Sequence, residues 1–467
     1  MRSIALVGVT GHVIDVEVDL SQGLPTVVMV GLPDAAVSQA RDRVRAAVTN
    51  SGLSWPGQRI TVNLSPASLP KHGSGFDLAL ACSVLAAFGV IPRAGLDRLV
   101  VVGELGLDGA VRAIRGVLPA VLAAVSAGFR RVVVPAANGN EAAAVPSAQV
   151  WGVASLRQLV AVLRDEEPVP SVAHAPPLDD AAGGQDMSDV RGHATARRLM
   201  EVAAAGGHHV LLHGAPGVGK SMLAERLPGL LPPLDDEAAL EVAAVHSVAG
   251  VLADVCGISR RPPFRAPHHS ASVPAMVGGG SGQVRPGAVS LAHRGVLLLD
   301  EAPEFKPQAL DALRQPLETG VIAVARARSM CIFPARVQLV LTANPCPCGQ
   351  AVGKGVGCSC TPMQRRRYLQ RLSGPLLDRV DLRYEMPSVT VAELAETTAE
   401  TTAVVAARVL EARHRAAHRL RATSWRTNAE VPGSTLRRRW PMDPAIRGRL
   451  DLAVARGALS LRGADRV

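Results

Sequence analysis

Hydrophobic positions along residues 1–165 switch repeatedly between two periods. Val13 to Val18 alternates apolar with acidic or polar side chains, as a half-buried strand does. Thr26-Val27-Val28-Met29-Val30 is a short unbroken apolar run, predicted as a buried strand and closed by Gly31-Leu32-Pro33. Ile60–Leu64 and Arg131–Val134 read as further strands, and the stretches around 35–50, 77–88 and 117–127 read as helices. This predicts a mixed α+β domain over residues 1–165. Periodicity then vanishes from Glu166 to Gln185 in a run of Pro, Ala, Asp and Gly, which predicts a linker over 166–186.

A different pattern follows. Val210-Leu211-Leu212, Val296-Leu297-Leu298-Leu299 and Val337-Gln338-Leu339-Val340-Leu341 are short, mostly aliphatic runs that predict the buried strands of a parallel sheet. They place an α/β core over 187–387. A helical, Arg-rich segment, 388–467, completes the chain, with helical spacing from Val404 to Arg421.

Each of these strands ends in residues with chemistry. The first runs into Gly214-Ala215-Pro216-Gly217-Val218-Gly219-Lys220-Ser221 and then a helical stretch, a complete G-x-x-x-x-G-K-[ST] phosphate-binding loop in its proper context. Glycines let backbone N–H groups approach phosphate oxygens, and the helix N-terminus adds partial positive charge. Lys220 is expected on the β- and γ-phosphates of ATP and the Ser221 hydroxyl on Mg²⁺. The second strand ends in Asp300-Glu301, the Walker B pattern, with Asp300 in the Mg²⁺ shell and Glu301 orienting or deprotonating the attacking water. The third ends in Asn344, read as a sensor of the γ-phosphate, where an isolated Asn would be a strand-ending cap.

Composition adds a partner class. The 467-residue chain carries a formal net charge of +10, which favours a polyanion such as DNA. Arg326 and Arg328 sit in an alternating stretch from Val321 that reads as a hairpin able to meet a phosphate backbone, or as a solvated tip. The odd total of seven cysteines is not that of a secreted disulfide framework. Four fall together as Cys346-Pro347-Cys348 and Cys358-Ser359-Cys360. They are read as ligands of a structural Zn²⁺, with free thiols or a redox pair as the alternatives. Cys82, Cys256 and Cys331 read as packing residues. There is no run of about eighteen apolar residues and no signal peptide pattern, so no membrane span is expected and a cytoplasmic location is.

Ser373-Gly374-Pro375-Leu376-Leu377-Asp378-Arg379-Val380-Asp381 resembles a segment of the helix-2-insert AAA+ ATPases, which include magnesium chelatase motor subunits and minichromosome maintenance helicases. The resemblance implies that Arg379 is an arginine finger acting on a neighbouring subunit's nucleotide, with Arg371 a second candidate. A surface ion pair with Asp378 or Asp381 is the alternative. A narrower set covers nearly the whole chain: His193, Phe264-Arg265-Ala266-Pro267-His268-His269-Ser270, Gly278-Gly279-Gly280, Arg285-Pro286-Gly287, Ser290-Leu291-Ala292-His293, Asp300–Phe305 and Asn344–Gly349. It is similar to the YifB/ComM family of bacterial magnesium-chelatase-like ATPases. That resemblance implies a hexameric, DNA-directed helicase that drives branch migration in competence. A chelatase-like motor working through a partner protein, and an ATP-dependent protease or unfoldase, are the rival readings.

Two further resemblances concern the ends. Leu69–Asp77, Gly103-Glu104-Leu105 and Val111–Gly116 resemble the proteolytic (ribosomal S5 domain 2-like) domain of Lon proteases. Gly75 stands at the nucleophile position and Ala120 at the lysine position, so a Lon-like domain without peptidase activity is expected. A slipped match would use Ser74 and Lys71. Ser460-Leu461-Arg462 resembles the sensor 2 segment of a small helical lid, placing Arg462 on the γ-phosphate. The chain stops at Val467, where the resembled family continues, so a shortened lid is expected.

Overall fold

The computed structural model describes residues 1–31, 35–174, 185–252, 257–280, 284–326, 329–351, 357–390, 393, 399–457 and 464. Sixteen strands are assigned among them. In the N-terminal region these are β1 (Arg2–Val7), β2 (Thr10–Ser21), β3 (Val27–Val30), β4 (Arg59–Ser65), β5 (Leu99–Val101), β6 (Glu104–Leu105), β7 (Val111–Arg112), β8 (Arg131–Pro135) and β9 (Gln149–Val153). The rest are β10 (Val210–Gly214), β11 (Phe264–Arg265), β12 (Val296–Leu299), β13 (Val321–Arg326), β14 (Ser329–Pro334), β15 (Gln338–Ala343) and β16 (Leu382–Met386).

The first region is built on a seven-stranded mixed sheet in the order β3-β4-β2-β1-β5-β8-β9. In β4 the buried side chains are Ile60, Val62 and Leu64, the period of two that the sequence shows. The helices Ala35–Asn50, Asp77–Ala87 and Val117–Ser126 fall where expected. Part of the stretch read as linker is bound to the sheet: Ser171 bridges Trp151, and Val172 N–H donates to Val150 O at 3.0 Å. Residues 175–184 of it lie outside the described residues.

The second sheet has five strands, all parallel, in the order β11-β12-β15-β10-β16. Every residue of β12 and β15 is buried, because helices cover both faces. The polar Gln338 is accommodated there by donating to Ala203 O and His208 O. The three chemistry-bearing strands β12, β15 and β10 are neighbours, so their C-terminal ends share one edge. The helix Thr402–Leu420 lays Val405 and Val409 against the core that contains Leu223 and Leu227.

The two sheets do not stand apart. The helix Asp236–Ala249 packs Ala243 and Ala244 into the cluster formed by Val117, Val121 and Val132. The β1–β2 turn presses on β14, where a Cβ on Gly8 would lie 2.6 Å from Ile332 O. The expected hairpin is present, with β13 and β14 paired antiparallel from Val321↔Pro334 to Arg326↔Ser329. No helix among the described residues is long and apolar enough to cross a membrane.

Candidate functional site

The loop between β10 and the helix Lys220–Leu230 carries Gly217 and Gly219 at φ +77° and +88°, a left-handed conformation that Cβ-bearing residues resist. Gly214 runs so close to β16 that a Cβ would meet Met386 O at 2.7 Å. Ala215, Pro216 and Val218 complete the curve. Lys220 is 8% exposed, and its Nζ donates to Gly214 O at 2.8 Å, Ala215 O at 2.7 Å and Asn344 Oδ1 at 3.0 Å. Burial pushes its ammonium below the usual range, and nearby Asp300 and Glu301 oppose that shift.

Strand β12 delivers its acids to the same place. Ser221 Oγ donates to Asp300 Oδ1 at 2.7 Å, and Thr342 Oγ1 donates to the same oxygen at 2.6 Å. Thr342 Oγ1 in turn accepts the Glu301 N–H at 2.9 Å. That bond helps hold Glu301 at φ +51°, a left-handed backbone that costs a non-glycine residue roughly 1–3 kcal/mol and recurs at functional sites. Both acids are exposed. The hydroxyl and carboxylate oxygens of Ser221 and Asp300 are a donor set for a hard cation such as Mg²⁺. The residues singled out by motif therefore meet across the sheet edge in two hydrogen-bonded pairs, Lys220 with Asn344 and Ser221 with Asp300, and Glu301 adjoins the second. His193 lies alongside, buried, with the Val218 backbone as a hydrogen-bond partner; burial lowers its pKa.

Arg379 stands elsewhere. It is 8% exposed, and its bonds go to Glu318 Oε2 at 2.5 Å and Pro375 O at 2.6 Å. Arg379 thus forms an ion pair with Glu318, and Asp381 meets His208 at 3.1 Å. Arg371 reaches the Walker B loop of its own chain, donating to Pro303 O at 3.0 Å and Glu304 Oε2 at 3.3 Å. Arg326 is exposed at the end of β13. Arg328, Arg462 and Cys256 lie outside the described residues.

The four clustered cysteines converge, with all four Sγ atoms within 4.8 Å of one another. Three of the separations, Cys346–Cys348 at 3.3 Å, Cys346–Cys358 at 3.6 Å and Cys348–Cys358 at 3.5 Å, are near the edge of about 3.8 Å that a tetrahedron with 2.3 Å Zn–S bonds requires. The Gln350 N–H and the Cys346 thiol bring Cys348 down to about 6, whereas Cys358, by burial, and Cys360, to about 11, are raised, so without a cation the four thiols do not ionise together. Cys82 and Cys331 are buried, as packing residues are.

In the N-terminal region Ser74 Oγ donates to Glu104, whereas the fully buried Lys71 donates to Pro66 O. These two side chains do not engage one another as a dyad would.

Three sequence profiles match the chain: magnesium chelatase, subunit ChlI, over residues 186–394; subunit ChlI of Mg-chelatase over 16–138; and the ChlI C-terminal profile over 399–467. The Escherichia coli protein YifB is 45% identical over 417 residues, covering 88% of this chain and 80% of YifB. Competence protein ComM of Haemophilus influenzae is 44% identical over 415 residues, covering 88% of this chain and 81% of ComM. The chain belongs to the YifB/ComM magnesium-chelatase-like family. A Mycobacterium tuberculosis protein is 52% identical over 465 residues, 99% of this chain and 92% of that one. A weaker likeness, 26% over 176 residues, is to the Lon protease of Citrifermentans bemidjiense, covering 35% of this chain and 22% of the protease.

Two residues that touch the site carry no motif. Thr342 is a polar residue inside an otherwise apolar strand, two positions before Asn344, and that break in the pattern was the available signal. Tyr368 is 3% exposed beside the same residues. Burial pushes its hydroxyl up to about 12, with Glu304 and Glu301 adding to the rise and the Asn344 backbone opposing it. Nothing local in sequence marks it.

Proposed function

We propose that this chain is an Mg²⁺-dependent AAA+ ATPase that assembles as a ring, a hexamer, and moves on branched or single-stranded DNA in competence or recombination. One observation carries the ATPase part: Lys220 is hydrogen-bonded to Asn344 and Ser221 to Asp300 at the C-terminal edge of three adjacent parallel strands, with Glu301 next to Asp300. Lys220 would leave its loop carbonyls for the phosphates, and Ser221 and Asp300 would hold Mg²⁺, which neutralises charge on the transferred phosphoryl group when bound. Glu301 would take the proton of the attacking water while Asn344 orients it. Arg379 would reach a neighbour's γ-phosphate after leaving Glu318. The four cysteines would hold a structural Zn²⁺.

The DNA reading is supported by the +10 charge, by the exposed Arg326 on its hairpin and by the kinship with ComM. Residues 1–165 are proposed as a Lon-like domain without peptidase activity, supported by Gly75 and Ala120 at the dyad positions and by the likeness to Lon protease. Residues 388–467 are proposed as a helical lid. The matching chelatase profiles favour a second reading, a motor that remodels a partner protein. ATPase rates separate them. Single-stranded or four-way-junction DNA is expected to raise turnover; no response to any DNA overturns the helicase reading.

A further inference from the structure

The cysteine cluster is not a remote ornament of the fold. Asn344, whose Oδ1 accepts from Lys220, is followed by the conformationally fixed Pro345 and then by Cys346, which is fully buried. Three residues on, Gly349 adopts φ +76° and donates its N–H to Cys346 O at 2.9 Å. Its backbone lies against the phosphate loop: a Cβ there would sit 2.3 Å from Pro216 Cγ and 2.8 Å from Cδ. Beyond Cys360, Thr361 and Gln364 form a reciprocal cap on the helix Pro362–Leu369. That helix brings Tyr368 to Asn344, and Arg371 then clasps Pro303 and Glu304 just beyond Glu301. The segment from Cys346 to Arg371 thus leaves the site at Asn344, touches the phosphate loop at Gly349 and returns to the acidic loop at Arg371.

We infer that the cysteine cluster, loaded with a thiophilic divalent cation of the zinc class, is a brace that positions Asn344 and the phosphate loop for ATP. The inference rests on the zinc reading given above. Holding Cys346 and Cys348 against Cys358 and Cys360 costs conformational entropy, and a metal held by four thiolates offsets it. Without the ion, Gly349 is freed from Pro216 and the anchor behind Asn344 loosens. These are positioning residues: they act through Asn344 and Pro216 rather than on the nucleotide.

The test uses the 467-residue chain and three measurements: zinc content by atomic absorption, binding of a fluorescent ATP analogue, and the split between KM and kcat. The wild type is expected to carry about one zinc per chain. Cys358→Ser with Cys360→Ser is expected to lose the zinc, keep its circular dichroism spectrum, and weaken nucleotide binding and kcat by about tenfold or more, the range seen when outer supports of a site are removed. Wild type stripped with a zinc-selective chelator in excess Mg²⁺ is expected to behave the same way, which covers the case of a double variant that fails to fold. Gly349→Ala keeps all four thiols. It is expected to retain zinc yet bind nucleotide more weakly, because the added Cβ strikes Pro216 and strains the left-handed backbone at Gly349 without removing a ligand. A wild type that takes up no zinc overturns the metal reading. Zinc that is present, but whose removal leaves nucleotide affinity and kcat unchanged, overturns the brace and leaves the metal reading standing.

Discussion

The Thr342 hydroxyl serves two partners at once, donating to Asp300 Oδ1 and accepting from the Glu301 N–H. Thr342→Val keeps the volume and β-branching but removes both bonds: Asp300 Oδ1 keeps only the Ser221 hydroxyl, and the Glu301 N–H loses its acceptor at a strained backbone position. The expected outcome is a fall in kcat/KM of about 10–100-fold with a weaker response to Mg²⁺, read from ATPase rates across a Mg²⁺ titration. An unchanged Mg²⁺ response would remove Thr342 from the site. Glu301→Gln preserves the side-chain length at a strained backbone position and deletes the base. Turnover should drop by about 10²–10⁴-fold while ATP still binds, and hydrolysis at the wild-type rate would refute the role given to Glu301. The motif residues were legible because phosphate and Mg²⁺ chemistry admits few side chains at fixed spacing. Thr342 and Tyr368 were not, because their partners become neighbours only when the strands align.

At the scale of elements, the sheet was legible where burial is complete. The runs Val296–Leu299 and Val337–Leu341 can hardly be anything but covered strands. The two-residue β11 was not legible, since its pairing with Val296 and Leu297 is a property of the assembled sheet. The helix Asp236–Ala249 illustrates another hidden layer. Its Glu241 accepts from His293 at 3.1 Å and Arg294 at 2.9 Å, and its His246 lies within hydrogen-bonding distance of Leu291 O at 2.9 Å. The His293 bond and then Arg294 hold Glu241 at about 2, whereas burial lowers both His246 and His293. A lowered imidazole binds its proton more weakly in the folded chain than in the unfolded one. Stability is therefore present above the ordinary value of about 6.5 and declines as pH falls through it. Glu241 adds a loss only at lower pH, as its carboxylate is titrated toward about 2. Thermal midpoints are expected to fall between about pH 7 and pH 5.5, with a shallower fall in His246→Gln. A midpoint that is flat or rises over that window would contradict the burial of these rings.

For the whole molecule, the decisive question is whether Arg379 acts within its own chain or across a seam. Its bonds run to Glu318 and Pro375, away from the Lys220–Asn344–Asp300 cluster, so on the proposed reading each subunit supplies a site on one side and a guanidinium on the other. Such a contact is head-to-tail and closes into a ring. Arg379→Ala should then abolish ATPase activity while its own nucleotide site stays intact, and Lys220→Ala should abolish it while leaving the guanidinium intact. Each variant alone is inactive on either reading. Mixed in equal amounts and reassembled, they behave differently. A seam works only where an intact Lys220 site faces an intact Arg379, so random mixing should restore about one quarter of wild-type turnover. If Arg379 serves its own chain, every subunit in the mixture lacks one essential group and turnover stays at background. Recovery on mixing would thus place the reaction between subunits, and its absence, with assembly confirmed by mass, would assign Arg379 to its own chain and overturn the seam.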